Sequence, residues 1–355
     1  MSMDETSMLL MNEPSMKPLG CSNDSSLPGA LPPRYIMAMS NQISTPAMPP
    51  LFDLTGKKAL VTGGAVGIGR GYALALAAAG ADVAIVDIDD KVGPITAAEI
   101  LALGRDSHYF HCDVTKADQV QAMVDAVVAR FGQLDIAVNN AGIAILGADE
   151  TLEQSAWDKV IAVNLTGAFL CCQAEARQMI AQKTGGKIIN TASMSATIAN
   201  CNASYDASKA GIVHMTKTLA AEWGQYNINV NCISPSYILS PMHASTPTVV
   251  RQRIRELTPL GHVERPEDLY GPVVFLASAA SNYVTGHDLM VDGGHTLNAW
   301  LVPLTRALPP RVSPEQETVQ LKHDLTAMGL PFDSDGINPG LHPEIADAFK
   351  AAFKL

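Results

Sequence analysis

The sequence predicts an α/β domain built on a doubly wound, parallel, seven-stranded sheet. Short runs of β-branched and apolar residues follow one another from residue 58 onward, and helix-length segments such as GIGRGYALALAAAG and ADQVQAMVDAVVARFG lie between them. The runs are continuously apolar, which is typical of parallel strands covered by helices on both faces. In chain order the predicted strands are KALVTGG, DVAIVD, HYFHCDV, LDIAVNN, KIINTAS, INVNCIS and LMVDGG.

The same pattern divides the 355-residue chain into three parts. Residues 1–51 mix Met, Pro, Ser and Asn without a helical or strand period, and we expect a flexible N-terminal extension. Residues 52–298 carry the α/β pattern without a break and form the one predicted domain. Residues 299–355 are predicted to be a C-terminal helical extension.

Two stretches of this C-terminal extension predict helices. In SPEQETVQLKHDLTAMG, Ser313 is placed as the N-cap and Pro314 at the first helical position. Gln316 completes a capping box with Ser313, and Gly329 ends the helix. HPEIADAFKAAFKL carries one apolar stripe at four-residue spacing, which needs a surface to pack on. That surface is either a subunit boundary or the region near the active site, and the sequence does not say which.

The composition excludes several classes of partner. With 35 acidic and 24 basic residues the net charge is −11, which disfavours binding to nucleic acid or to an anionic membrane. No run approaches the roughly 20 apolar residues that span a bilayer, and we expect a cytoplasmic protein. The six cysteines form no C-x-x-C pair and no cluster with His, so free thiols are expected and no metal site is predicted.

The first predicted strand runs into a glycine-rich turn that opens an Ala-rich helix, ALVTGGAVGIGRGYALALAAAG. Glycines at this point let the backbone turn tightly and approach a pyrophosphate at the positive end of the helix. The context of strand, turn and helix predicts a dinucleotide site in a Rossmann fold; the alternative is that the glycines serve the turn alone. The residues assigned to this site are Thr62, Gly63, Gly67, Ile68 and Gly69.

The second strand ends on Asp87, whose carboxylate is placed to accept hydrogen bonds from the adenosine ribose hydroxyls. A carboxylate there repels a 2′-phosphate, which favours NAD over NADP. Arg70 lies inside the glycine motif and could soften this preference, because its direction is not fixed by the sequence. Asp113 follows the third strand with Val114, where a side chain can reach the adenine edge.

The stretch SMSATIANCNASYDASKAG places Tyr205 and Lys209 four residues apart at the start of a helix, so their side chains share one face. An adjacent ammonium favours the phenolate, and we expect Lys209 to lower the pKa of Tyr205, aided by the positive charge of an oxidised nicotinamide. Tyr205 can then act as a general acid and base on an alcohol or ketone oxygen. Ser193 or Ser195 would hydrogen-bond the same oxygen, with Ser193 preferred because it follows the fifth strand directly. The alternative is a half-buried core tyrosine.

In this order, the motifs of the chain resemble those of the short-chain dehydrogenase/reductase family. They are T-G-x-x-x-G-x-G, the acidic end of the second strand, D-V, N-N-A-G, the helical asparagine of VNLTG, the serine, Y-x-x-x-K and V-D-G-G. The resemblance implies that Lys209 also holds the nicotinamide ribose. It further implies that Asn164 holds a water linking Lys209 to solvent, although Asn164 could instead only distort its helix.

The resemblance extends the cofactor site and locates a substrate lid at residues 240–260. After the sixth strand the family shows Pro-Gly, whereas this chain has Pro235 and Ser236. Because Ser adopts positive φ less freely than Gly, we expect the turn over the nicotinamide to differ. The remaining residues assigned to the cofactor are Asn140, Gly142, Tyr205, Lys209, Ile238 and Ser240.

Taken together, the sequence predicts an NAD(H)-dependent oxidoreductase that interconverts a secondary alcohol and a ketone. The stretch TASMSATIAN resembles that of polyol and ketose reductases of the family, such as those acting on mannitol, arabinitol or sorbose, which favours a polyol or sugar-like substrate. The alternatives are a biosynthetic ketoreductase for a larger hydrophobic ketone and a non-catalytic cofactor-binding scaffold. The helices GAFLCCQAEARQMI and GIVHMTKTLAAEWG are apolar over more than one face, and we expect a homodimer or homotetramer, preferably the tetramer.

Overall fold

The computed structural model describes residues 50–244, 246–298 and 313–330. Within these residues, seven strands form one parallel sheet with the order β3-β2-β1-β4-β5-β6-β7, which confirms the predicted fold class. The strands are β1 (Lys58–Thr62), β2 (Asp82–Asp87), β3 (Ser107–His111), β4 (Ile136–Asn139), β5 (Gly186–Thr191), β6 (Ile228–Pro235) and β7 (Asp288–Val291).

Ten α-helices connect or flank these strands in the described part of the chain. None of the described helices is both long and apolar enough to cross a membrane. In order they are α1 (Gly67–Ala78), α2 (Gly93–Ala102), α3 (Ala117–Phe131), α4 (Gln154–Ile161), α5 (Ala168–Gln182), α6 (Ala203–Trp223), α7 (Thr248–Leu257), α8 (Tyr270–Ala277), α9 (Pro314–Glu317) and α10 (Val319–Ala327).

Apolar side chains cover both faces of the sheet, which explains why the strand runs do not alternate with polar residues. On one face Leu60 of β1 belongs to a buried cluster with Val124 of α3 and Met179 of α5. On the other face Val61 belongs to a second cluster with Leu76 of α1. Successive residues of one strand therefore enter different layers of the core.

The order of the strands reverses between β1 and β4, and this point positions the site. Chain connections run outward in opposite directions from these two strands, so the connecting loops leave a crevice at their carboxyl ends. Thr62 at the end of β1 pairs in register with Asn139 at the end of β4. The glycine turn after β1 and the N-N-A-G stretch after β4 therefore meet at one edge of the sheet.

The predicted helix of the C-terminal extension forms, but in two pieces. The Ser313 N–H donates to Gln316 Oε1 at 2.8 Å and the Gln316 N–H donates to Ser313 Oγ at 3.3 Å, so the capping box is present. A break at Thr318 separates α9 from α10. Gly329 has a φ of 72°, as a helix terminator requires. The second predicted helix, within residues 342–355, lies outside the described residues, as does the N-terminal extension up to residue 49.

Candidate active site

A cavity of about 690 Å³ opens at the carboxyl ends of the central strands. Three predicted site residues, Thr62, Gly69 and Asn164, do not line this cavity but lie next to residues that do. The other predicted site residues line it: Gly63, Gly67, Ile68, Asp87, Asp113, Val114, Asn140, Gly142, Ser193, Tyr205, Lys209, Ile238 and Ser240.

The glycine turn has the geometry of a phosphate cradle. Gly63 and Gly67 have φ values of 62° and 58°, a region that favours glycine. A Cβ on Gly67 would lie 3.3 Å from Ser240 Cβ and would fill the gap between the turn and the lid. A Cβ on Gly69 would overlap the Gly63 carbonyl oxygen. Because first-turn N–H groups have no intrahelical acceptor, the Ile68 N–H at the cavity wall can bind an anion.

Thr62 and Asn140 lock this turn to the end of β4. The buried Thr62 Oγ1 accepts hydrogen bonds from the Asn140 N–H at 3.0 Å and from the Ala141 N–H at 3.2 Å. In return, Asn140 Nδ2 donates to the carbonyl oxygens of Thr62 and Gly63. These hydrogen bonds fix the conformation of the glycine turn. Because Thr62 does not line the cavity, it would act on a cofactor only through this turn.

Asp87 lines the cavity at the end of β2 and also supports the turn. Its Oδ2 accepts the Ala65 N–H at 3.0 Å, and its Oδ1 accepts the N–H groups of Ile88 and Asp89 at 2.8 and 3.1 Å. Burial raises the pKa of the Asp87 carboxyl, and these backbone donors oppose the shift. One carboxylate therefore connects the end of the second strand to the glycine turn.

The structure fixes the direction of Arg70. Its Nε and Nη2 donate to the two carboxylate oxygens of Glu99 on α2, at 2.7 and 2.9 Å, and it does not line the cavity.

Asp113 does line the cavity. Its Oδ1 accepts the N–H and the hydroxyl of Thr115 at 3.0 and 2.8 Å, and these bonds lower the pKa of Asp113.

Ser193, Tyr205 and Lys209 meet on one wall of the cavity. Ser193 follows β5 and is the N-cap of the 3₁₀ turn Met194–Ala196. Its side chain accepts a hydrogen bond from the Ser195 N–H. Ser195 does not line the cavity but donates its hydroxyl to Ser193 Oγ. Lys209 Nζ donates to the Thr191 carbonyl oxygen at 2.8 Å and lies 5.5 Å from the centre of the Tyr205 ring.

The expected lowering of the Tyr205 pKa is wrong for the protein alone. Burial raises the pKa of Tyr205 to about 12, although a hydrogen bond with the Ser193 side chain opposes the shift. Burial also lowers the pKa of Lys209 to about 8. Desolvation disfavours the charged form of each group, the Tyr205 phenolate and the Lys209 ammonium. Because the ammonium is turned toward Thr191, its charge does not offset the rise in the Tyr205 pKa.

Asn164 sits in a π-helical turn, Ala162–Gly167, between α4 and α5. Its side chain is fully buried, with Oδ1 accepting the Ile143 N–H at 2.8 Å and Nδ2 donating to the Ile143 carbonyl oxygen and to Ser208 Oγ. A Cβ on Gly142 would lie 3.3 Å from Asn164 Oδ1 and 3.6 Å from Lys209 Nζ. Asn164 therefore fixes the loop after β4 beside Lys209.

The turn after β6 contains Ser236 in place of the family's glycine. Ser236 does not have positive φ, so serine is unstrained there. Its N–H donates to Glu264 Oε2 at 2.6 Å, and burial raises the pKa of Glu264 well above its usual range. Sequence reasoning missed Glu264 because it lies 28 residues further along the chain. A Glu in a polar loop carries no signal of burial.

His243 is a second cavity residue that sequence reasoning missed, although it stands three residues after the assigned Ser240. Its Nδ1 lies 3.1 Å from the Ile238 carbonyl oxygen. Because a carbonyl oxygen only accepts, Nδ1 carries a proton. Burial lowers the pKa of His243, so the ring is neutral and its Nε2 is a hydrogen-bond acceptor.

Comparisons with known proteins agree with this geometry. A family model described as enoyl-(acyl carrier protein) reductase matches residues 63–296. A D-threitol dehydrogenase of Mycolicibacterium smegmatis is 43% identical over 249 residues, covering 69% of this chain and 95% of the relative.

Two solved structures are also similar. A short-chain type dehydrogenase/reductase from Mycobacterium marinum has a TM-score of 0.65 and 42% identity, covering 69% of this chain and 97% of that one. A gluconate 5-dehydrogenase from Burkholderia cenocepacia, solved with NADP and tartrate, has a TM-score of 0.67 and 36% identity, covering 69% and 97%. The matched part corresponds to the α/β domain.

Proposed function

The chain belongs to the short-chain dehydrogenase/reductase family, whose members act on CH–OH groups, and we propose that it is an NAD(H)-dependent oxidoreductase of polyol or sugar-like substrates. The observation that carries the proposal is that one cavity is lined both by the glycine turn and by Ser193, Tyr205 and Lys209. A dinucleotide and a small alcohol fit this arrangement of anion cradle and proton donor.

The residues that would hold the cofactor follow from the cradle. The Ile68 N–H at the start of α1 would bind the pyrophosphate, and Asp87 would accept from the ribose hydroxyls. A bound nicotinamide would supply the hydride for a ketone or accept it from an alcohol. We favour NAD over NADP because Asp87 lines the cavity while Arg70 is bound to Glu99. Because the related gluconate 5-dehydrogenase was solved with NADP, NADP is the main alternative cofactor.

Tyr205 would carry the proton of the reaction. With its pKa raised to about 12, the phenol holds its proton at neutral pH and is ready to donate it to a ketone oxygen. Ser193 would donate to the same oxygen and stabilise its developing charge. In alcohol oxidation Tyr205 must first lose its proton, and the positive charges of Lys209 and of the oxidised cofactor would favour the phenolate.

A hydroxylated substrate is favoured by the polar groups of the cavity wall beyond the reacting centre. His243 presents a neutral ring with an acceptor nitrogen, which suits a hydroxyl donor. The relative named D-threitol dehydrogenase supports the same class. A relative from Staphylococcus aureus named 3-oxoacyl-[acyl-carrier-protein] reductase, 38% identical over 240 residues, supports the second candidate, a ketoreductase for a larger hydrophobic ketone. A non-catalytic scaffold would not need Ser193, Tyr205 and Lys209 together at the cavity.

A paired screen tests this proposal. The wild type and Tyr205→Phe are assayed with NAD and NADP against D-threitol, other polyols, gluconate and bulky β-keto esters, and NADH binding is measured by fluorescence. We expect polyol turnover with NAD that falls by about a thousandfold in the variant while NADH binding persists. Activity only on the bulky ketones would favour the second candidate. No turnover on any substrate, or equal turnover in the variant, would refute the enzymatic role of Tyr205.

A further inference from the structure

The C-terminal segment, residues 313–330, lies beyond the family match and is anchored to the lid by a buried ion pair. Glu317 is 1% exposed, and its carboxylate accepts both Nε and Nη2 of Arg255 on the lid helix α7. Its Oε1 also accepts the Val263 N–H at 2.9 Å. Separating a buried pair leaves each charge without its partner, which is strongly unfavourable. The segment and the lid therefore hold each other in place.

The same segment is anchored to the cofactor turn by a second buried carboxylate. Asp324 on α10 is 0% exposed, and its Oδ2 accepts the Gly67 N–H at 2.6 Å. Its Oδ1 accepts Gln320 Nε2 at 2.7 Å and lies 3.9 Å from Arg70 Nη1. Gly67 is the first residue of α1, and its N–H has no acceptor within that helix. A residue 257 positions away thus caps the cofactor helix.

In addition to these two anchors, α10 packs on the lid through apolar side chains. Leu321 and Leu325, both 2% exposed, form one cluster with residues before, within and after α7. Those residues are Leu239, Ala244, Ile254 and Val263. Loss of either anchor would therefore also loosen this packing.

From these contacts we propose that Glu317 and Asp324 are positioning residues that couple the substrate lid to the cofactor-binding turn. The proposal rests on the cofactor site proposed above. When the turn is ordered by a cofactor, Asp324 transmits that order to α10, and α10 transmits it to the lid through Glu317. The lid then closes over a substrate only when the glycine turn is in its binding geometry. The part of the chain outside the family match would in this way become part of the site.

Hydrogen exchange with the full-length protein tests this coupling. Exchange of the lid amides at residues 246–260, and of the Val263 amide, is measured with and without NADH in the wild type, Glu317→Gln and Asp324→Ala. The matched control is Lys322→Ala, which removes an exposed side chain from the same helix. We expect NADH to slow lid exchange in the wild type and the control. In Glu317→Gln, lid exchange without NADH rises by about tenfold, and in Asp324→Ala the lid no longer responds to NADH although NADH still binds.

The outcomes separate this proposal from the proposed function. A wild type that binds no NADH would refute the cofactor site, whereas the lid exchange of Glu317→Gln would still report on its anchor. The coupling would be overturned if the lid amides of both variants exchanged at the wild-type rate and responded to NADH as in the wild type. Exchange of residues 58–62 in β1 monitors the fold. If Glu317→Gln unfolds, Leu325→Ala replaces it, because this change loosens the packing without leaving a buried charge, and the same tenfold increase is required.

Discussion

The hydroxyl of Ser195 donates to the hydroxyl of Ser193 at 2.8 Å, and of the two serines Ser193 alone lines the cavity. The hydrogen bond orients Ser193 and leaves its own proton available for an acceptor in the cavity. Ser195 would therefore act through Ser193.

The two serines are expected to differ in their effect on catalysis. Ser193→Ala removes a donor to the reacting oxygen, and we expect kcat/KM to fall by about a hundredfold or more. Ser195→Ala removes only an orienting bond, and a loss of no more than about tenfold is expected. Steady-state kinetics on both variants measure this difference. The reverse ranking would assign the substrate contact to Ser195.

Asp87 is expected to determine the preference between NAD and NADP. Asp87→Ser removes the charge that repels a 2′-phosphate, so the ratio of kcat/KM for NAD to that for NADP should fall by about tenfold or more. Asp90→Asn is a suitable control, because Asp90 is a nearby acidic residue that accepts from Tyr109 and His111 and does not line the cavity. An unchanged ratio in Asp87→Ser would remove Asp87 from the specificity argument.

Glu175 on α5 is expected to make stability depend on pH. The carboxyl is fully buried, Asn139 donates to its Oε2 at 3.0 Å, and burial raises its pKa from 4.5 to about 8. The folded state thus binds a proton that the unfolded state releases above its own pKa. This stabilisation is fully present below pH 4.5 and is lost as the pH rises toward 8.

The matching substitution is Glu175→Gln, which keeps the shape of the neutral acid. Relative to the wild type, we expect the variant to gain stability as the pH rises, on the order of 4 kcal/mol at pH 8, and to show little difference near pH 4.5. Denaturant unfolding at several pH values provides the measurement. A constant difference across this range would mean that Glu175 is not protonated in the folded protein.

The assembly can be tested through α5, one of the helices predicted to lie between subunits. Phe169 on α5 is 40% exposed in the single chain. We expect the wild type to be a tetramer at micromolar concentration, and Phe169→Asp to reduce the mass measured by light scattering. Arg177→Ala, on an exposed part of the same helix, should leave the mass unchanged. A monomeric wild type would refute the prediction.

Local patterns allowed much of the fold and the site to be predicted. The apolar strands, the glycine turn and the four-residue spacing of Tyr205 and Lys209 are properties of short stretches. The strands form the predicted sheet, and the glycine turn, Tyr205 and Lys209 line one cavity. Long-range burial was not predictable. The pKa of Tyr205 rises because many distant residues exclude water from it, a quantity that no short motif encodes. Likewise, the sequence around Asp324 is that of an acidic residue on a helix surface. Its hydrogen bond with the Gly67 N–H depends on the tertiary structure and could not be predicted.

The π-helical turn around Asn164 has a consequence for how this protein can change by insertion and deletion. A π turn accommodates one residue more than the α-helix around it. Removing one residue from Ala162–Gly167 would let this segment return to a regular α-helix, so the side chains at the former π turn would change direction while α4 and α5 keep theirs. Asn164 would then lose its alignment with Ile143 and Ser208. In this segment the number of residues, as well as their identity, is therefore part of the site.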